Sequence, residues 1–368
     1  MDRRHFLAAA AALPLVAPHA GPAAAQSAPA RTYTPVPGAW RTFEVTTRLE
    51  ILFAGPDTKA WIPVPALTSD WQQSLPSTWS GNVRDAAVFT DPTYGAKMVR
   101  AAWADSEASP VIEVVTRVRT RDRSVDWAKK SAPVLAADER ALNLRSTELI
   151  TTDGIVAATA AKVTAGRTTD VERVRALYDW TVVNTYREPT VRGCGVGDIK
   201  AMLETGNLGG KCADLNALFV GLCRASGVPA RDVYGIRVAK SAFGYKELGA
   251  GNADITKAQH CRAEVWLAGY GWVAMDPADV AKVMRQETAS WIKDPKDALV
   301  APVYGALFGA WEGNWMGYND AHDLALPGTA GAPVPFLMYP QAEARGERVD
   351  SLDPDTFKYR ITAREITA

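Results

Sequence analysis

Polar and apolar residues alternate along the chain from about residue 40. Segment 43–48 reads Phe-Glu-Val-Thr-Thr-Arg, and segment 111–119 is a second run rich in β-branched residues, with turn residues between the two. A period of two is typical of half-buried β-strands, so we predict a β-rich domain over residues 40–130. Within it, segment 61–65 (Trp-Ile-Pro-Val-Pro) is expected to form an edge strand or a loop, because its two prolines remove donors from a strand ladder.

After about residue 135 the apolar period becomes helical. Thr169 and Glu172 fit a capping box ahead of an apolar face, which predicts a helix of about 16 residues. Asp198 fits the cap of a shorter helix. A third helix is predicted to begin near Cys212 and to stop at Gly227.

Two strands are predicted to follow this helical region. Residues 260–267 and 272–275 are joined by the short connection Ala-Gly-Tyr-Gly at 268–271, which favours a tight hairpin. Helices that precede an antiparallel sheet, instead of alternating with strands, indicate an α+β fold.

The amino-terminal segment has the pattern of an export signal. Residues 1–25 contain Arg3-Arg4, then an Ala/Leu/Val stretch, and end in three alanines that form a small-residue cleavage pattern. The arginine pair followed by Phe-Leu resembles a twin-arginine signal, which implies a bacterial periplasmic or secreted protein. Residues 26–39 are proline-rich and are predicted to be a linker. No run of about 20 apolar residues follows, so no integral membrane segment is expected after signal removal.

Composition narrows the chemistry. The 368 residues include 41 basic and 41 acidic side chains, a balance that does not favour a nucleic-acid partner. Only His260 and His322 lie beyond the predicted signal, and the cysteines show neither a CxxC pair nor zinc spacing. Gly209-Gly210-Lys211 lacks the first glycine of a phosphate loop, since residue 205 is threonine. We therefore expect neither a metal nor an organic cofactor.

Cys212 is a candidate nucleophile. Two glycines and Lys211 precede it at the predicted start of a helix. The positive end of the helix dipole, free backbone N–H groups and the nearby lysine all favour a thiolate. The alternative is a small buried residue that fills the helix start.

His260 and Asp276 are candidates for the base and its partner. His260 begins the first strand of the predicted hairpin, and Asp276 follows the end of the second. A hairpin brings the start of one strand beside the end of the other, so the imidazole and the carboxylate can meet. Together with Cys212 they would form the nucleophile, base and orienting group of a thiol enzyme. The alternatives are a core histidine and an ordinary Asp-Pro turn.

Four segments together resemble the transglutaminase-like superfamily, whose core is papain-like. They are Gly-Lys-Cys-Ala-Asp at 210–214, Arg-Ala-Ser-Gly-Val-Pro-Ala-Arg at 224–231, His-Cys-Arg-Ala-Glu-Val-Trp-Leu at 260–267 and Gly-Tyr-Gly-Trp-Val-Ala-Met-Asp-Pro at 269–277.

The resemblance covers about 165–285 and implies Cys212 as nucleophile, His260 as base and Asp276 as its partner. It also implies that residues 131–368 hold the core and a carboxyl-terminal extension, behind the β-rich domain found in exported bacterial members.

Other positions are candidates for substrate binding. Arg262 stands where many members carry an aromatic residue, and it would either hold a substrate carboxylate or pair with Glu264. Lys211 is a second candidate. Trp315 and Asn319 belong to a segment dense in aromatic and polar groups, which is either a cleft wall or a surface loop.

The remaining cysteines are assigned by position. Cys223 and Cys261 are expected to be structural, the latter because it alternates away from His260 along the strand. Cys194, in a glycine-rich loop, is either near the site or a free surface thiol.

The resulting hypothesis is an exported thiol enzyme that attacks amide bonds of peptides or proteins through an acyl-enzyme. Ala213 replaces the tryptophan that follows the nucleophile in vertebrate-type transglutaminases, so hydrolysis by a protease or amidase is as compatible with the residues as amine transfer. A cell-wall peptide is one candidate substrate. The alternative is a catalytically silent peptide-binding module on the same fold.

Overall fold

A computed structural model describes residues 31–131 and 133–366. The predicted signal at 1–25 and the first part of the linker lie outside the described residues. Among the helices in the described ranges, none has the length and apolar character needed to cross a membrane.

The β-rich region contains two five-stranded sheets. The first has the order β18-β1-β7-β3, with β4 also paired to β7. Its strands are β1 (Arg41–Ile51), β3 (Gln72–Ser74), β4 (Thr78–Gly81), β7 (Val111–Thr120) and β18 (Phe357–Ile366). Buried and exposed positions alternate along β1 and β7, which confirms the predicted strands at 43–48 and 111–119. β18 pairs with β1 from Thr42–Ile366 to Ile51–Phe357, so this sheet also includes chain far beyond residue 130.

The second sheet has the order β17-β16-β2-β6-β5. Its strands are β2 (Lys59–Val64), β5 (Asp85–Thr90), β6 (Lys97–Ala102), β16 (Gln341–Ala344) and β17 (Glu347–Val349).

Strand β2 as a whole is not an edge strand, because it lies between β16 and β6, but the expectation of an edge strand or a loop holds for residues 62–65, of which 62–64 pair with β6 alone and Pro65 follows the end of the strand. β16 pairs only with residues 59–61, whereas β6 pairs along the whole of β2. Thr58 accepts a backbone hydrogen bond from Trp103 on the β6 side. Because the polar groups of successive residues face opposite sides of a strand, Pro63 has its missing N–H on the other side, where β16 has already ended. The proline therefore removes no ladder bond.

The α+β core consists of helices packed against a four-stranded sheet of order β13-β12-β11-β15. These strands are β11 (Ala230–Arg237), β12 (Gln259–Leu267), β13 (Gly271–Met275) and β15 (Trp315–Asn319). The helices are α1 (Ala137–Leu142), α2 (Gly154–Val163), α3 (Asp170–Asn184), α4 (Ile199–Thr205), α5 (Cys212–Ala225), α6 (Pro277–Gln286) and α7 (Ala301–Ala306), with a 3₁₀ turn at Lys246–Leu248. Helix α5 is almost entirely buried and packs on β11 and β12.

The local signals read from the sequence are confirmed. Thr169 and Glu172 form a capping box at the start of α3, and the Asp198 side chain caps α4. Helix α5 ends just before Gly227, which has a φ of 84°. The predicted hairpin is β12–β13.

Two short strand pairs complete the connections. β9 (Tyr186–Arg187) runs parallel to β10 (Gly209–Gly210), and β8 (Arg123–Ser124) pairs with β14 (Ala310–Trp311). The described part of the predicted linker also packs on the core, since Tyr33 is buried with its ring 5.0 Å from that of Phe243.

The carboxylate of Asp214 fixes the start of α5 to the loop before α4. One oxygen accepts from the backbone N–H groups of Val196 and Gly197 at 2.9 Å each, and the other accepts from that of Lys211 at 2.8 Å. Gly195 (φ 93°) passes so close that a Cβ there would lie 1.8 Å from an Asp214 oxygen. A side chain at residue 195 would therefore displace the group that anchors the helix start.

We expect Gly195→Ala to destabilise the protein much more than Gly166→Ala. Both glycines have positive φ, which costs an alanine about 1 to 2 kcal/mol, but a Cβ at Gly166 meets nothing within 4 Å. The clash at Asp214 should add about 1 to 3 kcal/mol for Gly195→Ala. Urea unfolding of the two variants measures the difference, and equal losses of stability would contradict the role assigned to Asp214.

Candidate active site

The three predicted catalytic residues are held by neighbouring elements. Cys212 is the first residue of α5, His260 is the second residue of β12, and Asp276 caps the start of α6 directly after β13. The β12–β13 register pairs Ala263 with Met275, which brings the imidazole and the carboxylate together. His260 Nε2 lies 2.7 Å from Asp276 Oδ2.

Asn216 connects the helix of the cysteine to this pair. It follows Cys212 by one turn of α5, and its side-chain amide donates to Asp276 Oδ1 at 3.2 Å and to the Cys261 carbonyl at 2.8 Å. Its oxygen accepts from the backbone N–H of Ala278 at 3.3 Å. One buried amide thus ties α5 to β12 and α6, a role that the sequence analysis missed.

A second carboxylate, Asp279, also faces the imidazole and was missed from the sequence. Its Oδ2 lies 3.3 Å from His260 Nε2, and its Oδ1 accepts from Arg237 at 2.5 Å. Asp276 and Asp279 occupy the cap position and the third position of α6, which direct both side chains to the same helix end. The Asp-Pro-Ala-Asp sequence was therefore a usable signal.

The structure corrects both expectations for Arg262. The side chain is 1% exposed, its guanidinium lies 4.8 Å from the Trp315 ring centre, and it donates to the Glu312 carbonyl at 3.0 Å. Its Nε lies 3.8 Å from Asp276 Oδ2. A residue so covered does not reach a substrate carboxylate, and Glu264 instead pairs with two other cations, Arg123 and Arg231.

Trp315 and Asn319 are also corrected as substrate-binding candidates, because both are 1% exposed. The Trp315 indole donates to the His260 carbonyl at 2.8 Å, and the Asn319 amide donates to the Leu337 carbonyl at 2.9 Å. Residues 315–319 form the buried strand β15, so this part of the aromatic segment is neither a cleft wall nor a surface loop. Trp315 supports the backbone of the histidine instead.

The charges around His260 favour its protonated form. Burial and the Arg237 charge lower its pKa, but the carboxylates of Asp279 and Asp276 outweigh them and raise the pKa to about 9. Burial and the neighbouring Asp279 raise the pKa of Asp276, while the charge of Arg237 holds that of Asp279 well below its usual range despite burial. The imidazole is therefore expected to carry a proton at neutral pH.

The Cys212 thiol is shifted in the opposite direction. The neighbouring Cys194 and Cys261 thiols and the charge of His260 favour the thiolate and lower the pKa of Cys212 well below the usual value, although burial opposes them. All four cysteines of the described residues are buried and unpaired with one another in disulfides. Cys194 and Cys261 thus belong to the environment of Cys212. For Cys194 this was one of the two alternatives, whereas Cys261 was expected to be structural.

A cleft gives access to the cysteine and the histidine. Both line a space of 230 Å³ and are 4% and 3% exposed, respectively. A second cleft of 520 Å³ shares three lining residues with the first and is bordered by Cys194 and Lys211. Lys211, unlike the other three candidates for substrate binding, therefore lies where a substrate can reach it.

Three potential metal ligands, His260, Asp276 and Asp279, lie within 4.8 Å of one another. Arg237 is paired with the second carboxylate, and Arg262 lies beside the first. These two positive charges disfavour a metal cation in the same space, so the cluster is better suited to hold an imidazolium.

Comparison with known proteins agrees with this architecture. A family model described as the transglutaminase-like superfamily matches residues 157–277. An uncharacterized protein of Haemophilus influenzae is 37% identical over 325 residues, which cover 84% of this chain and 86% of that protein.

Solved structures resemble the fold at low sequence identity. A candidate cysteine protease from Cytophaga hutchinsonii is 15% identical with a TM-score of 0.55, over 91% of this chain and 94% of that one. The periplasmic domain of TgpA from Pseudomonas aeruginosa is 14% identical with a TM-score of 0.34, over 72% of this chain and 93% of that domain.

The fold is thus that of the papain-like, transglutaminase-like α+β proteins. The chain belongs to the transglutaminase-like superfamily.

We expect Asp276→Asn to lower the pKa of His260 from about 9. The substitution removes a carboxylate that favours the imidazolium while it retains size and hydrogen-bonding atoms. An NMR titration of the imidazole protons measures the shift, with His260→Ala assigning the signal. His322 is an internal reference, since burial holds its pKa well below the usual range. An unchanged His260 titration in folded Asp276→Asn protein would contradict the assigned contact.

Proposed function

We propose that this protein is a thiol enzyme that attacks amide bonds of peptides or proteins. Cys212 is the nucleophile, His260 is the general base and acid, and Asp276 orients the imidazole. The observation that carries the proposal is the 2.7 Å contact between His260 and Asp276 in the cleft that Cys212 also lines. The opposite pKa shifts of the thiol and the imidazole support it, because together they favour a thiolate–imidazolium pair.

In the first step, the Cys212 thiolate adds to the amide carbonyl carbon, and the carbonyl oxygen takes the negative charge. Within the described residues, the backbone N–H of Cys212 donates to no protein acceptor, so it is free to stabilise this oxygen. The imidazolium of His260 then gives its proton to the amine nitrogen as the C–N bond breaks. An acyl-enzyme and a free amine result.

In the second step, the neutral His260 takes a proton from an incoming nucleophile, which attacks the thioester carbonyl. Water as the nucleophile gives hydrolysis, and a second amine gives acyl transfer. The thiolate leaves, and the imidazolium is restored. Asp276 and Asp279 hold the ring orientation and stabilise its charge during both steps. Export to the periplasm, predicted from residues 1–25, is part of this proposal.

Iodoacetamide should alkylate Cys212 rapidly at neutral pH and slowly in acid. The thiolate is the reactive form, and the pKa of this thiol is lowered. Intact-mass analysis across pH measures the rate. The matched control is Cys223→Ala, which removes a cysteine of the same helix whose pKa is raised by burial and should leave the fast labelling intact. Labelling that accelerates only near an ordinary thiol pKa of about 8.5 would favour a catalytically silent peptide-binding module instead.

Incubation with a peptide library should yield products that Cys212→Ala does not form. Mass spectrometry with and without an added primary amine distinguishes the reactions, since cleavage, deamidation and amine incorporation change the substrate mass differently. Cys223→Ala again controls for loss of a thiol. Identical product spectra from the wild type and Cys212→Ala would refute the proposed enzyme.

A further inference from the structure

The cleft beside Cys212 is surrounded by cations. The described residues that line this cleft and the space beside it include a single carboxylate. It belongs to Asp254, which pairs with Arg360 at 3.0 Å. The basic residues that line the two adjoining spaces are Arg187, Arg192, Lys211, Arg237, Lys257, Lys282 and Lys358. The cleft walls thus have a strong excess of positive charge.

Four of these cations have acidic neighbours. Arg237 pairs with Asp279 at 2.5 Å, and Arg192 pairs with Asp350 at 2.8 Å. Lys282 Nζ lies 3.3 Å from a Glu247 oxygen, and Lys358 Nζ lies 4.0 Å from a Glu50 oxygen.

The other three have no such partner. Within residues 31–131 and 133–366, neither Arg187, Lys211 nor Lys257 has a carboxylate oxygen within 4.0 Å. Arg187 donates instead to the neutral amide of Gln286 at 3.1 Å. The nearby carboxylate of Asp214 is occupied by backbone N–H groups.

The backbone brings two of these charges to the cysteine. Strand β9 pairs Arg187 with Gly210, and Lys211 and Cys212 follow directly. The next residue of the β9 chain, Glu188, donates its N–H to the Gly210 carbonyl at 2.8 Å, which fixes this register. Lys257 lies on the opposite, β12 side of the same cleft, three residues before His260.

Like charges held together repel, and this repulsion disfavours the charged form of Lys211. Partial burial and the neighbouring Arg187 charge lower its pKa. An anion bound between these groups would counter the repulsion and favour the charged form of Lys211, so the free protein is arranged to attract one. A carboxylate group is small enough to enter a space of 230 Å³, and it matches the planar donor pair of a guanidinium.

We propose that Arg187, Lys211 and Lys257 bind a carboxylate of the peptide substrate next to the bond that Cys212 attacks. The carboxylate is either an acidic side chain or the free carboxyl terminus. This inference rests on the proposed function and specifies its substrate class: acidic peptides are preferred over neutral and basic ones.

The test uses peptides of one sequence that differ in charge. One set carries Glu, Gln or Lys near the susceptible amide, and each peptide is prepared with a free and with an amidated carboxyl terminus. We expect kcat/KM to be about fivefold higher for the acidic peptide than for the neutral one, as for one solvent-exposed ion pair. The preference should shrink as salt is added. The Glu arm and the free-terminus arm distinguish the two sources of the carboxylate.

Variants identify the residues responsible. Lys257→Gln and Arg187→Gln should each reduce the ratio of acidic to neutral kcat/KM, and Lys257→Glu should reduce it further. The matched control is Lys97→Gln, which removes an exposed lysine on β6 and should leave the ratio unchanged. Circular dichroism and thermal unfolding establish that each variant is folded.

A binding measurement separates this inference from the proposed chemistry. Fluorescence anisotropy with Cys212→Ala protein and labelled Glu, Gln and Lys peptides reports charge preference without turnover. Turnover or binding that ignores peptide charge would overturn the carboxylate site and leave the thiol enzyme standing. Acid-selective binding by a wild-type protein that turns over no peptide would support the site and refute the enzyme. The absence of both turnover and binding would refute both.

Discussion

The site depends on two buried carboxylates that face one imidazole. Asp276 and Asp279 lie 2.7 and 3.3 Å from His260 Nε2 and would repel each other without nearby positive charge. Arg237 and Arg262 supply it from β11 and β12. Two arginines balance two aspartates, so the cluster is close to neutral, and the proposed transfer of a proton from the Cys212 thiol to His260 keeps it so because the proton stays within the cluster. Formation of an ion pair there avoids the large penalty of an unpaired buried charge.

The same cluster also joins the structural elements. The carboxylate of Asp276 caps α6, accepts from Asn216 on α5 and contacts His260 on β12, so one side chain links two helices and the sheet. Trp315 adds β15 through its bond to the His260 carbonyl. The positions of His260 and Asp276 are therefore set by interior contacts, not by surface loops, which is the condition for a preorganised site.

The parts of this arrangement that were predictable each had a local sequence signal. Cys212 follows two glycines at a helix start, and His260 and Asp276 flank a hairpin whose length fixes their approach. Asp279 had a local signal too, at the third position of α6. Arg237 and Asn216 had none, because their roles arise from contacts between elements far apart in sequence. Arg262 was placed on the correct strand, but strand alternation could not show that Trp311 and Trp315 cover it. The sequence shows the two prolines near the end of β2. It does not show that β16 stops pairing before Pro63, which is why the strand can have a neighbour on both sides at its start.

The net charge of a sequence does not show how its charges are distributed in space. The chain has 41 basic and 41 acidic side chains, and this balance argues against a polyanion as partner. It does not exclude a local excess, because the described lining of the cleft includes one carboxylate, that of Asp254, and seven cations. In the buried cluster around His260, two arginines face two aspartates. The described lining of the cleft outside this cluster, in contrast, has cations without carboxylate neighbours. In the proposed enzyme, the balanced charge of the buried cluster would hold the reacting groups, and the excess of positive charge in the cleft would favour anionic substrates.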